Sequence, residues 1–305
     1  MQPESVNPTL GWNLARDLGE VLEYHFMVNA LLAGSVVAVM AGAVGWLMVL
    51  RREAFAGHTL SIMSFPGAAA AALVGIAAAW GYFAFCGAGA VAIALLSGRG
   101  RGSVREQGAA IGTVQATALA LGFLFVSLYG GVLGDLESLL FGNILAISDG
   151  QVIGLGVVAL VVLAALAVVA RPLLFASVDP DVASADGVRV GALSVAFLLI
   201  LGASVAATSQ ITGPLLVFAL LVAPAATAQV LTARPALSLA LTVGFGLLIV
   251  WLGMGIAYFS VYPAGFYVAT IAFGLYLLAR LAVALRARLA RAGARRVRAA
   301  VVGAG

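Results

Sequence analysis

The chain contains no lysine: all sixteen of its basic residues are arginine. A P-loop needs a lysine to reach the phosphates of a nucleotide, so this absence excludes a Walker-type ATPase within the chain. Cysteine is as scarce. Cys86 stands alone, which rules out an internal disulfide, and its apolar surroundings mark it as a small packing residue. Only two histidines occur, His25 and His58, and no cluster of His, Cys, Asp and Glu has metal-ligand spacing. Charge of either sign is short, with 9% of residues charged against 63% hydrophobic and a mean hydropathy of +1.14. A soluble domain carries about 25% charged residues. So few charges cannot cover a water-facing surface, and the bilayer is therefore the solvent. The pI of about 9.6 does not describe a nucleic-acid face either, because seven of the sixteen arginines fall between Arg280 and Arg298.

What is present is a series of nine apolar segments, over 27–50, 60–78, 79–97, 109–129, 150–170, 190–208, 213–232, 236–259 and 264–284. Most approach the roughly 20 residues that cross a hydrocarbon core. Backbone in lipid must satisfy its own hydrogen bonds, so each segment reads as a helix. The expected fold is all-α, a polytopic membrane bundle of about nine transmembrane helices, with eight to ten admissible. The division between the second and third rests on Trp80, Gly81 and Tyr82 as a turn. Small-residue pairs at spacing four, Gly130 with Gly134 and Gly150 with Gly154, suit close helix packing or simply reflect a glycine-rich composition.

The arginines test the count. Arg51 and Arg52 follow the first segment, Arg99, Arg101 and Arg105 the third, Arg171 and Arg189 flank the loop after the fifth, and Arg234 follows the seventh. The alternate loops, 130–149, 209–212 and 260–263, hold no arginine. The positive-inside rule then places the N-terminus outside and the C-terminus in the cytoplasm. Three regions result: an extracytoplasmic or interfacial lead over 1–25, a transmembrane domain over 26–285, and an Arg-rich cytoplasmic tail over 286–305. The lead lacks the basic-then-apolar pattern of a cleavable signal. Trp12, Leu14, Leu18 and Leu22 share a helical face, which fits an interfacial helix or a loosely ordered tail.

No Asp or Glu lies inside a marked segment. Relays of buried carboxylates, a common basis of proton-driven transport, are thus not expected. The polar residues inside the segments are neutral: Ser61, Ser64, Gln115, Asn143, Ser204, Thr208, Thr227 and Gln229. They could line a path or simply bond between helices. Helix-breaking residues say more. Pro66-Gly67 interrupts the second segment, Gly213-Pro214 and Pro263 begin others, and Pro224 lies inside the seventh. Such breaks in a bundle are tolerated where neighbours or a cavity satisfy the freed carbonyls, and several together suggest a path. His58 and Met63 stand in the same stretch as Ser61, Ser64, Pro66 and Gly67. His58 stands at the start of its helix and reads as a helix-start contact, an inner-gate residue or a ligand. His25 reads as an interfacial histidine.

The loop "RPLLFASVDPDVASADGVRVGAL", residues 171–193, carries Asp179, Asp181 and Asp186 on the side otherwise rich in arginine. Within it, Asp179 fits an N-cap, Pro180 the first helical position and Gly187 a C-cap. A short capped acidic helix has the form of a docking element; a solvated loop is the other reading.

Four stretches resemble one family in order. "LEYHFMVNALLAG" with "VLRREAFAGHTLSIMSFPG" is similar to its first span and the Ser-to-Pro-Gly segment that follows. "LLFGNILAIS" is similar to its LFGxxL element, "LLFASVDPDVASADGV" to its cytoplasmic coupling segment, and "GPLLVFALLVAPAATAQVL" to its proline-alanine signature. Together they resemble the permease subunit of the zinc/manganese-type ABC importers. The resemblance implies a path formed with a second permease copy, as a homodimer, in a bacterial cytoplasmic membrane. It also implies separate ABC ATPase subunits that hydrolyse ATP, an extracytoplasmic metal-binding protein that delivers a divalent cation, and no cofactor held by this chain. The coupling segment would be 174–189, with Asp179, Pro180, Asp181, Ala183, Asp186 and Gly187 meeting the ATPase. Where the family commonly has an aspartate and a histidine before its Pro-Gly, this chain has His58 and Ile62. Zinc, manganese and iron are not distinguished by these motifs. Permeases of iron-siderophore or cobalamin importers share the general plan, with a different signature. A secondary transporter would need intramembrane charge and inverted repeats, and a passive scaffold would not explain the repeated helix breaks.

Overall fold

The structure, a computed structural model, describes residues 19–20, 22–97, 104–129, 147–260 and 262–302. Most of the amphipathic lead and most of the LFGxxL stretch, including Asn143, lie outside the described residues, as do Gly130 and Gly134. Among the described residues the architecture is all helical: α1 (His25–Leu50), α2 (Ala54–Val74), α3 (Ala78–Leu96), α4 (Val104–Tyr129), α5 (Asp149–Val178), α6 (Pro180–Ala185), α7 (Val190–Leu231), α8 (Pro235–Tyr258) and α9 (Ala264–Val302). Among the described residues eight helices are long and apolar enough to cross a membrane, and a shorter apolar helix covers Leu216–Leu231.

The bundle is built around α1 and α7. Ala30, Ala33, Val37, Ala41, Val44 and Met48 recur every three or four residues along α1 and are fully buried, the spacing of one helical face. Helices α4, α5 and α9 are peripheral and leave Phe123, Leu160, Val168 and Leu278 exposed. Lipid provides no hydrophobic drive between helices, so close approach by small residues takes its place. Gly67 of α2 and Gly81 of α3 meet in this way: a Cβ added at Gly67 would lie 2.4 Å from the Gly81 carbonyl oxygen. The spacing-four pair at Gly150 and Gly154 does not do this, since a Cβ at Gly154 would meet nothing within 4 Å.

Two sequence expectations change here. The turn between the second and third spans is not at Trp80–Tyr82. It falls at Gly75, whose φ of +76° ends α2, and α3 starts after Ala77. Gly81 is inside α3, where it serves the contact with Gly67. Pro66-Gly67 does not break its helix either: α2 runs from Ala54 to Val74 with Pro66 inside it.

The Gly213-Pro214 pair behaves as expected. Gly213 has φ 70° and ψ 163°, a conformation open essentially to glycine alone. Ser194, early in α7, bonds to Arg51 at the end of α1, and Gln229, late in α7, bonds to the Trp46 carbonyl nearby. Both ends of α7 therefore lie at one end of the bundle, and the chain doubles back at Gly213. The two arms correspond to the sixth and seventh apolar segments of the sequence.

Candidate functional site

Four places gather the polar chemistry. The first is the face of α2 toward α7. Ser64 Oγ lies 2.7 Å from Ser209 Oγ and 3.5 Å from Cys86 Sγ, all three buried. The Cys86 thiol also reaches the Leu60 carbonyl, so it is both a packing residue and a hydrogen-bonding one. Ser61 donates to the His58 carbonyl at 2.7 Å. His58 packs its ring edge on Phe218 at 4.8 Å, and its Nδ1 is enclosed with no hydrogen-bond partner. Phe218 stands just past Pro214 on the returning arm, and Pro224 lies further along it. Ser64 thus touches the outgoing arm of α7 and His58 the returning one. Met63 and Gly67 face the other way, toward Gly89 and Gly81 of α3. The sequence-selected residues are therefore split between two seams.

The hydroxyls around the reversal have a local cause. Thr208 donates to Ser204, Ser209 to Val205 and Thr212 to Thr208, each to a carbonyl four residues back. Such back-bonding occupies carbonyls and favours a bend, which suits a helix about to end at Gly213. The Ser204 hydroxyl is buried without an acceptor.

The second place is the short helix α6. Asp179 Oδ1 accepts from the backbone N–H groups of Asp181 and Val182 at 3.1 and 3.0 Å. Pro180 takes the first helical position, Asp186 is the C-cap, and Gly187 follows with φ +87°. The Val188 N–H closes the turn on the Ala183 carbonyl at 3.0 Å, the six-to-one bond of a Schellman cap. Ala183 is fully buried and fixes the helix to the bundle, while Asp179, Asp181, Asp186 and Val182 are exposed. The segment is an ordered helix, and its apolar neighbour Val178 is 85% exposed.

The third place was not legible as a site. Arg51 caps α1, Arg52 turns with φ 61°, and Glu53 precedes α2. Arg51 donates through Nε and Nη2 to Glu53 Oε1 at 3.0 and 2.7 Å, through Nη1 to Ser177 at 3.1 Å, and through Nη2 to Ser194 at 3.2 Å. Its guanidinium stacks on Phe197 at 5.2 Å. Burial raises the Glu53 carboxyl above the usual carboxylate range, with Arg51 opposing the shift. In sequence, Arg51 is one of many arginines after spans, and nothing local marks it as different.

The opposite end has its own polar cluster. His25 Nε2 lies 2.8 Å from Asp149 Oδ1, which also accepts from Asn29 Nδ2 at 2.6 Å. Ser148 and Gln151 form a capping box at the start of α5, a pattern readable from the S-x-x-Q spacing. His25 is thus an exposed, hydrogen-bonded histidine, as expected. Among the described residues no group of three or more His, Cys, Asp and Glu could hold a metal ion.

Comparison with known proteins agrees with this architecture. The profile of the ABC 3 transport family matches residues 23–283. The manganese transport system membrane protein MntC of Halalkalibacterium halodurans is 33% identical over 82% of this chain and 83% of its own. The chelated iron transport system membrane protein YfeC of Yersinia pestis is 31% identical over 79% of this chain and 80% of its own. The solved structure of PsaBC from Streptococcus pneumoniae in complex with Fab matches with a TM-score of 0.73 at 28% identity, covering 87% of this chain and 95% of that one. The chain belongs to the ABC 3 transport family, as a multi-pass permease subunit of a metal-type ABC importer in a bacterial cytoplasmic membrane.

Proposed function

We propose that this chain forms the membrane path of a divalent-metal importer, for zinc, manganese or iron, and works by alternating access driven by separate ATPase subunits. In this reading two copies pair in the membrane, surrounded by lipid. An extracytoplasmic binding protein delivers the cation to the end that carries His25 and Asp149, and the arginine-bearing end faces the cytoplasm. The observation that carries the proposal is α6: a helix capped at both ends, anchored by buried Ala183, with its acids and Val182 turned outward. It lies between two long helices, where a motion of a docked ATPase would pass into the bundle. Asp179, Pro180, Asp181, Asp186 and Gly187 form its contact and caps. The names of the relatives favour manganese and iron as cargo.

The cargo path runs along α2 and the α7 reversal, past Ser61, Ser64, Pro214 and Pro224, with His58 against Phe218 as its inner constriction. Met63 and Gly67 shape the supporting seam with α3, and Pro66 lies inside α2 beside them. His58 acts as a positioned aromatic contact and not as a metal ligand.

The test is a reconstituted complex with its ATPase and binding protein. Asp186→Trp or Gly187→Val should leave ATP hydrolysis running while uptake falls at least about tenfold, the scale of a lost coupling energy; coupled uptake at the normal rate would reject the docking role of α6. His58→Ala should retain most uptake, and a severe loss would return His58 to the list of ligands. Competition among zinc, manganese and iron in the same vesicles ranks the cargo.

A further inference from the structure

We infer that Arg51 is a positioning residue that ties both flanks of α6 to the helix lining the path. This rests on the importer reading of α6. Helix α6 hangs between the end of α5 and the start of α7. Ser177, near the end of α5, and Ser194, near the start of α7, both bond to the one guanidinium of Arg51. That guanidinium also holds Glu53, the residue from which α2 begins, and stacks on Phe197 of α7. Helix α2 carries His58, Ser61 and Ser64. A single cation therefore joins the docking element to the helix that faces both arms of α7.

The surroundings make this link count. A cavity of about 440 Å³ lies beside it, lined by residues from the α6 flanks and from α2, α3 and α4, among them Ser177, Pro180, Ser194, Glu53 and Ser97. At the edge of this cavity the Arg51 bonds join Glu53, Ser177 and Ser194, all three of which line it. Both donors from Arg51 to Glu53 end on Oε1, while Oε2 is enclosed with no partner. An unused acceptor next to a five-donor fork gives the pair a second arrangement, so the link can change partners without breaking the ion pair. Two discrete arrangements of one network are what transmission between sites requires. Lysine keeps the charge but offers no planar fork that could serve Glu53, Ser177 and Ser194 together.

The experiment measures metal ions imported per ATP hydrolysed in vesicles holding the complete complex with manganese as probe. Arg51→Lys should lower this ratio by about tenfold, and Ser194→Ala by a smaller factor. A purely structural role would reduce the quantity of assembled complex and leave the ratio unchanged, and that result overturns the assignment. Should Arg51→Lys fail to assemble, Ser194→Ala decides: an unchanged ratio overturns the assignment, and a reduced one supports it. A wild-type complex that moves no zinc, manganese or iron overturns the importer reading itself, whereas a working importer whose variants keep the ratio overturns only the role of Arg51.

Discussion

Pro66-Gly67 and Gly213-Pro214 contain the same two residues in opposite order, and the chain does opposite things at them. At the first, α2 continues as a helix through the proline. At the second, the helix ends and the chain returns along a new arm. The order explains the difference. The residue before a proline is pushed out of the helical region, and at 213 that residue is a glycine, free to take φ 70° and ψ 163°. At 66 the preceding residue is Phe65, which has no access to that conformation and is held in a buried seam. The glycine after Pro66 then takes a different task, close approach to α3.

This contrast can be broken most directly at Gly213. Gly213→Val should cost at least about 1–3 kcal/mol from the backbone alone, and misdirecting the returning arm should lower the yield of folded protein. Thermal unfolding in detergent, compared with Gly244→Val at an open position, measures it; equal melting of the two variants would show that the conformation at 213 is not decisive. Gly67→Leu should destabilise by about 1–3 kcal/mol, the usual range for forced overpacking. Gly87→Leu, on the same pair of helices but with nothing within 4 Å of its Cβ, is the control. Pro66→Ala should be neutral or raise the melting midpoint slightly, because it restores a helix N–H where no break exists. A marked drop would mean that Pro66 bends α2 into its working shape. Ser209→Ala should lower stability only modestly, by about 0.6 kcal/mol, the average for a hydrogen bond within a membrane bundle, since Ser64 keeps its contact with Cys86.

The helix count was readable because it depends on composition over long windows. Nine apolar segments correspond, among the described residues, to eight long helices and the short arm Leu216–Leu231. The caps of α6 were readable because Asp179, Pro180 and Gly187 act within a few residues of each other. What failed was the meaning of single glycines. Gly75 and Gly81 look alike in sequence, yet one terminates α2 with a positive φ and the other packs against Gly67. That distinction depends on a neighbouring helix, which no local pattern contains. The Arg51 network was hidden for the same reason: its partners Ser177 and Ser194 are more than a hundred residues away.

The returning arm, Leu216–Leu231, has sixteen residues and at 1.5 Å per residue spans about 24 Å. A hydrocarbon core is about 30 Å thick, so the arm cannot match it. At its turn Ser209, Ile211 and Thr212 are enclosed by protein. Lipid exposure of that turn would leave carbonyls without partners. The point that sets the connectivity of the bundle is thus insulated from hydrophobic mismatch. Thicker or thinner bilayers should tilt the outer helices while the reversal keeps its geometry, like a keel that stays fixed while the hull flexes around it.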